Sequence, residues 1–288
     1  MNKVYIHSKN TIDKYVLKYI YGLIPLVLYG IYKNGLILYN ANLINFFSIF
    51  KVLYLIVISL IIYIIFSIIT KRKLKLNLEL LTILIIPLFM PYSINLIIYS
   101  ISLFVLLFID HYLSKILKYN NISFIILGII LILVIFNKYN YLNPLELTNN
   151  YLYTFIDLLF GRNPGGIATS SIIIGIILII YYSIFTIYKQ NIAISSIIVF
   201  LLLTAILNNF NINSLLNSNA ILSFILIAPE LKNTPVSLKE TIIYGIVVGI
   251  ISALLCQFVS IYTGAFIAIF IVSLSYGILR KFDKKKHL

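Results

Sequence analysis

The chain is a succession of long apolar runs interrupted by short breaks that carry lysine, and the run from Val52 to Ile69 contains no charged residue at all. At about 1.5 Å of rise per residue, such a run as a helix is long enough to cross a hydrocarbon core of about 30 Å. The runs lack the period-two alternation of barrel strands, so helices are what satisfies their backbone groups in lipid. Spans are predicted near 17–33, 50–70, 78–90, 92–110, 122–136, 168–188, 191–207, 218–230, 241–259 and 262–279. The expected fold is therefore all-α, a polytopic membrane protein of about ten transmembrane helices. The expected organisation is an N-terminal segment 1–16, one transmembrane domain 17–279 with halves about 17–136 and 151–279, and a basic tail 280–288.

Several elements depart from plain spans. Residues 78–110 are apolar throughout but broken at Pro87, Met90 and Pro91, which predicts a proline-broken hairpin. Asn208 to Asn219 is rich in Asn and Ser and leads into a short span that ends near Pro229. Tyr141 to Phe160 has a polar start and then YLYTFIDLLF, the pattern of a partial or interfacial helix, followed by the loop GRNPGG. Short, broken segments in both halves point to a site near the bilayer midplane. Five spans on either side of this segment allow two inverted five-helix repeats, since an odd unit reverses its topology.

Composition agrees with lipid as the solvent: 61% of residues are hydrophobic and 10% charged, and the mean hydropathy is +1.06. A net charge of +14 in a soluble chain would point to nucleic acid. Here the cations sit between apolar runs, at Lys3 to Lys18, Lys71 to Lys75, Lys115 and Lys118, Lys189, Lys232 and Lys239, and Arg280 to Lys286. Counting one crossing per span returns the chain to the same side at each cluster, so positive charge places both termini in the cytoplasm. No small-residue cleavage pattern follows the first run, so that span is expected to stay in the protein. Cys256 is the only cysteine, inside an apolar run, and reads as a small buried residue. No paired histidines, carboxylate dyads or metal-ligand clusters stand out, which argues against metal or hydrolytic catalysis.

Candidate chemistry gathers after the partial helix. Pro164-Gly165-Gly166, followed by Thr169, Ser170 and Ser171, has the form of a glycine loop opening a helix, where free N–H groups and the dipole stabilise an anionic group. The alternative is a plain connection whose hydroxyls cap the helix start. Asp157 in its apolar setting is expected to pair with nearby Arg162 or to mark an ion path. Asp110, His111 and Glu79 read as solvated interfacial charges near Lys115 and Lys75. Glu230 falls at the inner end of the short span, either capping it or bonding a ligand. Tyr19, Tyr21, Tyr29, Tyr32, Tyr181, Tyr182 and Tyr188 read as an interfacial aromatic belt.

LLFGRNPGGIATSS at 158–171, followed by NIAIS at 191–195, resembles the RnfD/NqrB family, the large membrane subunit of the Rnf ion-translocating electron-transport complex and of sodium-pumping NADH:quinone reductase. The family pattern there is similar to LLLG..PGSIGETS and RIPLS. AILSFILIAPELKNTPVSLKETIIYGIVVGI at 220–250 continues the resemblance through Ala228, Pro235, Tyr244 and Gly245, with Glu230 where the family has Asp. Tyr262, Gly264, Phe266 and Ala268 resemble the last span, with Thr263 at an acidic position of the family. LKYNNISFIILG at 117–128 is similar to LGQNPFNPAMIG and keeps Asn120 and Gly128.

The resemblance implies a subunit of a membrane oxidoreductase that couples electron transfer to Na+ or H+ movement, with other Rnf-like membrane and flavoprotein subunits as partners in a bacterial inner membrane. It also implies flavin mononucleotide (FMN), which the family carries through a phosphoester to the Thr of an SGAT-type motif. YLNPLEL puts Asn143 at that Thr, and Asn cannot form the bond. A second register sets GIAT against SGAT and makes Thr169 the attachment candidate. Gly165, Gly166, Thr169, Ser170 and Glu230 are the residues the resemblance offers to FMN. The rival from another class is a small-molecule permease with its substrate at the Gly165 loop, and the third reading is a structural subunit without ligand.

Overall fold

A computed structural model describes residues 12–72, 76–117, 154–185, 188–208, 215–230 and 234–286. The span expected at 122–136, and Asn120, Gly128 and Asn143, lie outside them. The described elements are α1 (Ile12–Asn40), α2 (Phe46–Ile69), α3 (Leu78–Phe89), α4 (Leu96–Leu117), α5 (Phe155–Phe160), α6 (Ile172–Phe185), α7 (Gln190–Leu207), α8 (Ser218–Leu226), α9 (Leu238–Phe258) and α10 (Gly264–Lys286). Among the described residues, four helices (α1, α2, α7 and α9) are long and apolar enough to cross a membrane, and shorter apolar helices accompany them.

These helices turn apolar residues outward, as lipid allows and water does not. On α7, Ile194, Ile198, Leu202 and Ile206 recur every four residues and are all exposed. On α1 the outward stripe is Tyr21, Ile24, Leu28, Tyr32, Leu36 and Tyr39. Small residues fill the inner contacts. A Cβ on Gly249 of α9 would stand 2.7 Å from the Ser196 carbonyl oxygen of α7, and one on Gly245 would stand 2.7 Å from the Ile192 carbonyl oxygen, so the two backbones nearly touch.

Two short helices occupy the centre. α8 is capped by Asn217, whose side chain accepts from the Ala220 N–H, and every residue from Asn217 to Glu230 is buried. α3 is built the same way: Asn77 accepts from the Leu80 N–H, Pro87 forces the last turn into a tighter 3-10 form, and the chain leaves the helix at Met90-Pro91. The proline-broken hairpin is thus present, with α4 as its return limb.

α3 and α8 run in opposite directions. Thr82, in the first turns of α3, donates to Glu230, beyond the last turn of α8. The far end of α3 is joined through the 161–171 loop to Asn219, in the first turn of α8. α2 packs against α4 and α7 against α9, so the helix pairing of one half recurs in the other.

The start of α1 lies at the C-terminal end of α8, where the Tyr19 hydroxyl donates to the Leu226 carbonyl at 2.8 Å. That same end holds Glu230, Lys189 bonded to Thr234, and Tyr276 of α10 bonded to Glu240 of α9. Tyr19 and Tyr182 are core residues, stacked with centroids 4.1 Å apart, and the Tyr182 hydroxyl donates to the Tyr19 carbonyl. For these two the aromatic-belt expectation is corrected. Their hydroxyls satisfy backbone carbonyls inside the bundle, whereas Tyr21 and Tyr32 do face outward.

Candidate functional site

The segment Gly161 to Ser171 does not open a helix directly. α5 begins with a capping box in which the Thr154 and Asp157 side chains bond each other's backbone N–H, and it ends at Gly161 with φ +84°. Glycine is needed there, because a Cβ would also stand 2.5 Å from the Ser170 carbonyl carbon. Arg162 then pairs with Asp157 at 3.2 Å, the local pair expected from the sequence. The Thr154 hydroxyl donates to Asp157 and holds its carboxyl below the ordinary value.

From Gly165 to Ser171 the chain is a wholly buried strap that bends at Ile167 and Ala168, where the Thr169 N–H donates to the Gly166 carbonyl. It runs along the unwound end of α3: the Ile167 N–H donates to the Met90 carbonyl at 2.8 Å and the Ala168 N–H to the Leu88 carbonyl at 3.0 Å. The Gly166 N–H donates to Asn219 Oδ1 at 2.9 Å, and Thr169 Oγ1 donates to the same oxygen at 3.0 Å, with Leu88 O at 3.3 Å. Because an N–H can only donate, the atom it meets must be the amide oxygen, which leaves Asn219 Nδ2 buried without a hydrogen-bond partner. A Cβ on Gly166 would fall 2.9 Å from the Leu88 oxygen, and one on Gly165 would fall 3.1 Å from Ser218 Oγ.

The other side of the strap is held by α1. Tyr29 donates to the Phe160 carbonyl, buried Lys33 to the Asn163 carbonyl, and Asn34 Nδ2 to the Ile167 carbonyl at 2.7 Å. Lys33, Asn34 and Gly35 are consecutive and all buried, because the turn from Tyr32 to Leu36 is widened to π form. A Cβ on Gly30 would meet the Ile167 oxygen at 2.7 Å.

Of the five residues put forward from the sequence, Gly165, Gly166, Thr169 and Ser170 come together. Glu230 does not join them: it lies past the opposite end of α8, about 15 Å of helix away, bonded to Thr82 of α3 and accepting from Thr234 through its carbonyl. The anion-cradle geometry is corrected. Four successive N–H groups, Gly166 to Thr169, are spent on protein oxygens, and α6 starts only at Ile172, since the strap pairs with α3 instead of winding up. Lys33, Asn34, Asn217 and Asn219 were not singled out. Their signal was present, as polar residues flanking or interrupting apolar runs.

Asp110 and His111 are corrected too. α4 continues past them, Asp110 and His111 are buried, and Arg72 bridges Glu79, at 3.1 Å to both carboxylate oxygens, and His111 Nδ1. A turn that brings α2, α3 and α4 together buries Asp110 and His111, while Glu79, in the first turn of α3, and Arg72 stay partly exposed. Cys256 is buried and free, as expected.

The fold and the strap define an all-helical, multi-pass membrane protein with two antiparallel broken helices crossed by a buried connecting segment. The chain belongs to the NQR2, RnfD, RnfE family, whose model matches residues 1–288. Among curated proteins, none matches the chain.

Proposed function

We propose that this chain is a membrane subunit of an Rnf- or Nqr-type complex that couples electron transfer to Na+ or H+ movement, and that it works without a flavin on its own Thr169. Family membership over the full chain carries the first part. Its partners on this reading are other Rnf-like membrane and flavoprotein subunits, and its place is a bacterial inner membrane with both termini in the cytoplasm. The gathering of the inner ends of α1, α8, α9 and α10 at one end of the bundle supports a common side for the termini.

The second part rests on fit. FMN, where present, supplies one-electron chemistry while the protein supplies position and electrostatics. A phosphoester on Thr169 would require an accessible hydroxyl and free donors for the phosphate. Thr169 is 0% exposed; its hydroxyl is bonded to Asn219 and Leu88, and the neighbouring N–H groups are engaged. With that hydroxyl buried and bonded, the strap residues do not fit the phosphoester, although Ser218 Oγ and Asn219 Nδ2 beside them are buried without hydrogen-bond partners. What the strap residues do is hold α3, α6 and α8 in register at the centre of the bundle.

Purification from the native membrane in mild detergent, with the copurifying chains identified by mass spectrometry, tests the first part. Copurification of Rnf-like subunits is expected, and isolation of the chain alone from membranes that contain them refutes it. In-gel fluorescence of the denatured chain tests the second. No band is expected, and a fluorescent band that disappears in Thr169→Ala overturns it.

A further inference from the structure

Arg162 is held from beneath and left open above. One guanidinium nitrogen bonds Asp157 at 3.2 Å; the Asp157 side chain is 6% exposed while that of Arg162 is 58% exposed. The exposed groups around it are apolar or aromatic. Phe155, Ile156 and Phe160 are 54%, 63% and 54% exposed, and they make up half of α5. Tyr29 of α1 donates to the Phe160 carbonyl and lies near enough to Arg162 to feel its charge. Tyr32, one turn on, belongs to the outward stripe of α1.

With α5 read as an interfacial helix, this exposed apolar face meets the lipid. A guanidinium on such a face is costly unless it finds polar partners or reaches the headgroups. Asp157 takes one N–H, and a guanidinium has several more in a planar fork. In a bilayer, the abundant group that matches that fork in charge and shape is a phosphodiester. The exposed apolar side chains of α5 suit the acyl chains attached to the same molecule.

We propose that Arg162, held by Asp157 at the end of a short helix whose Phe155, Ile156 and Phe160 are exposed, binds the phosphate of one phospholipid of the adjoining leaflet. The site is independent of the redox reading and needs no flavin or partner subunit. Its probes are phosphatidylglycerol and, as a lipid without phosphate, monogalactosyldiacylglycerol.

Native mass spectrometry of the purified full-length chain, with stepwise delipidation, should show one phosphatidylglycerol retained after the others are stripped, and no galactolipid retained in its place. Arg162→Gln should lose that lipid and release it at least tenfold more readily. It should also lose the rise in unfolding temperature that phosphatidylglycerol gives over galactolipid. The substituted side chain is largely exposed and Thr154 still caps α5, so circular dichroism of the variant should match the parent. Equal retention of phosphatidylglycerol by Arg162→Gln, or equal retention of the galactolipid by the parent chain, overturns the proposal.

Discussion

Replacing Asn219 by alanine tests the strap directly. The Asn219 oxygen is the acceptor for the Gly166 N–H and one of two acceptors for the Thr169 hydroxyl, and all three residues are buried. In Asn219→Ala the Thr169 hydroxyl keeps Leu88 O, so its loss is modest, about 0.6 kcal/mol for a side-chain bond within a membrane protein. The Gly166 N–H has no second acceptor in hand. A buried donor left unsatisfied costs about 1–3 kcal/mol, and the emptied side-chain volume adds to this. The same substitution removes Asn219 Nδ2, a buried donor without a partner, which offsets part of this. The expected net destabilisation is therefore about 1–2 kcal/mol, read as a shift in the denaturant or thermal unfolding of the detergent-solubilised chain by far-ultraviolet circular dichroism. Thr169→Val should cost about 1 kcal/mol. The double variant should show coupling of about 0.5 kcal/mol or more between the two sites. An Asn219→Ala chain within about 0.5 kcal/mol of the parent, or strict additivity with Thr169→Val, would refute the reasoning that this amide ties the strap to α8.

Gly161→Ala should destabilise by more than about 1 kcal/mol, because the left-handed backbone and the Ser170 carbonyl both oppose a Cβ, and lowered folded yield measures it. Gly249→Val should separate α7 from α9 and cost about 1–3 kcal/mol in the same unfolding assay, since the added atoms would meet the Ser196 carbonyl. Asp157 carries a pH signature. Its folded carboxyl titrates below the ordinary 3.8, so its stabilising contribution is complete above that value and is lost as pH falls through the lower folded one. Asp157→Asn should flatten the acid limb of a pH-stability curve and leave the slope near neutrality unchanged. Tyr182→Phe should keep the stack on Tyr19 but lose the bond to the Tyr19 carbonyl, at a cost of about 0.5–1.5 kcal/mol.

Much of the fold is legible in one dimension because lipid imposes a one-dimensional rule. A backbone that crosses hydrocarbon must be helical, so the length and position of apolar runs locate α1, α2, α7 and α9 without knowledge of their neighbours. Pro87 and Pro229 mark breaks for a local reason as well, the missing N–H. The pairing of Asp157 with Arg162 is similarly local, within one turn and its cap. Where residues far apart in sequence meet, the linear pattern stops being informative. Gly165-Gly166 reads as an anion loop until α3 is brought beside it and takes up its N–H groups. Arg72 reads as one more interfacial cation until α4 brings His111 to it.

Hydropathy and charge established that this chain lives in a membrane as an all-helical bundle, and its motifs placed it with the Rnf and Nqr subunits, because both depend on the order of residues along the chain. The direction of α3 against α8, the burial of the strap between them and the separation of Glu230 from the Gly165 cluster depend on which distant polar groups satisfy one another. A buried N–H or hydroxyl must find a partner somewhere. Which partner it finds is settled by the packing of whole helices, and no stretch of the chain encodes that alone.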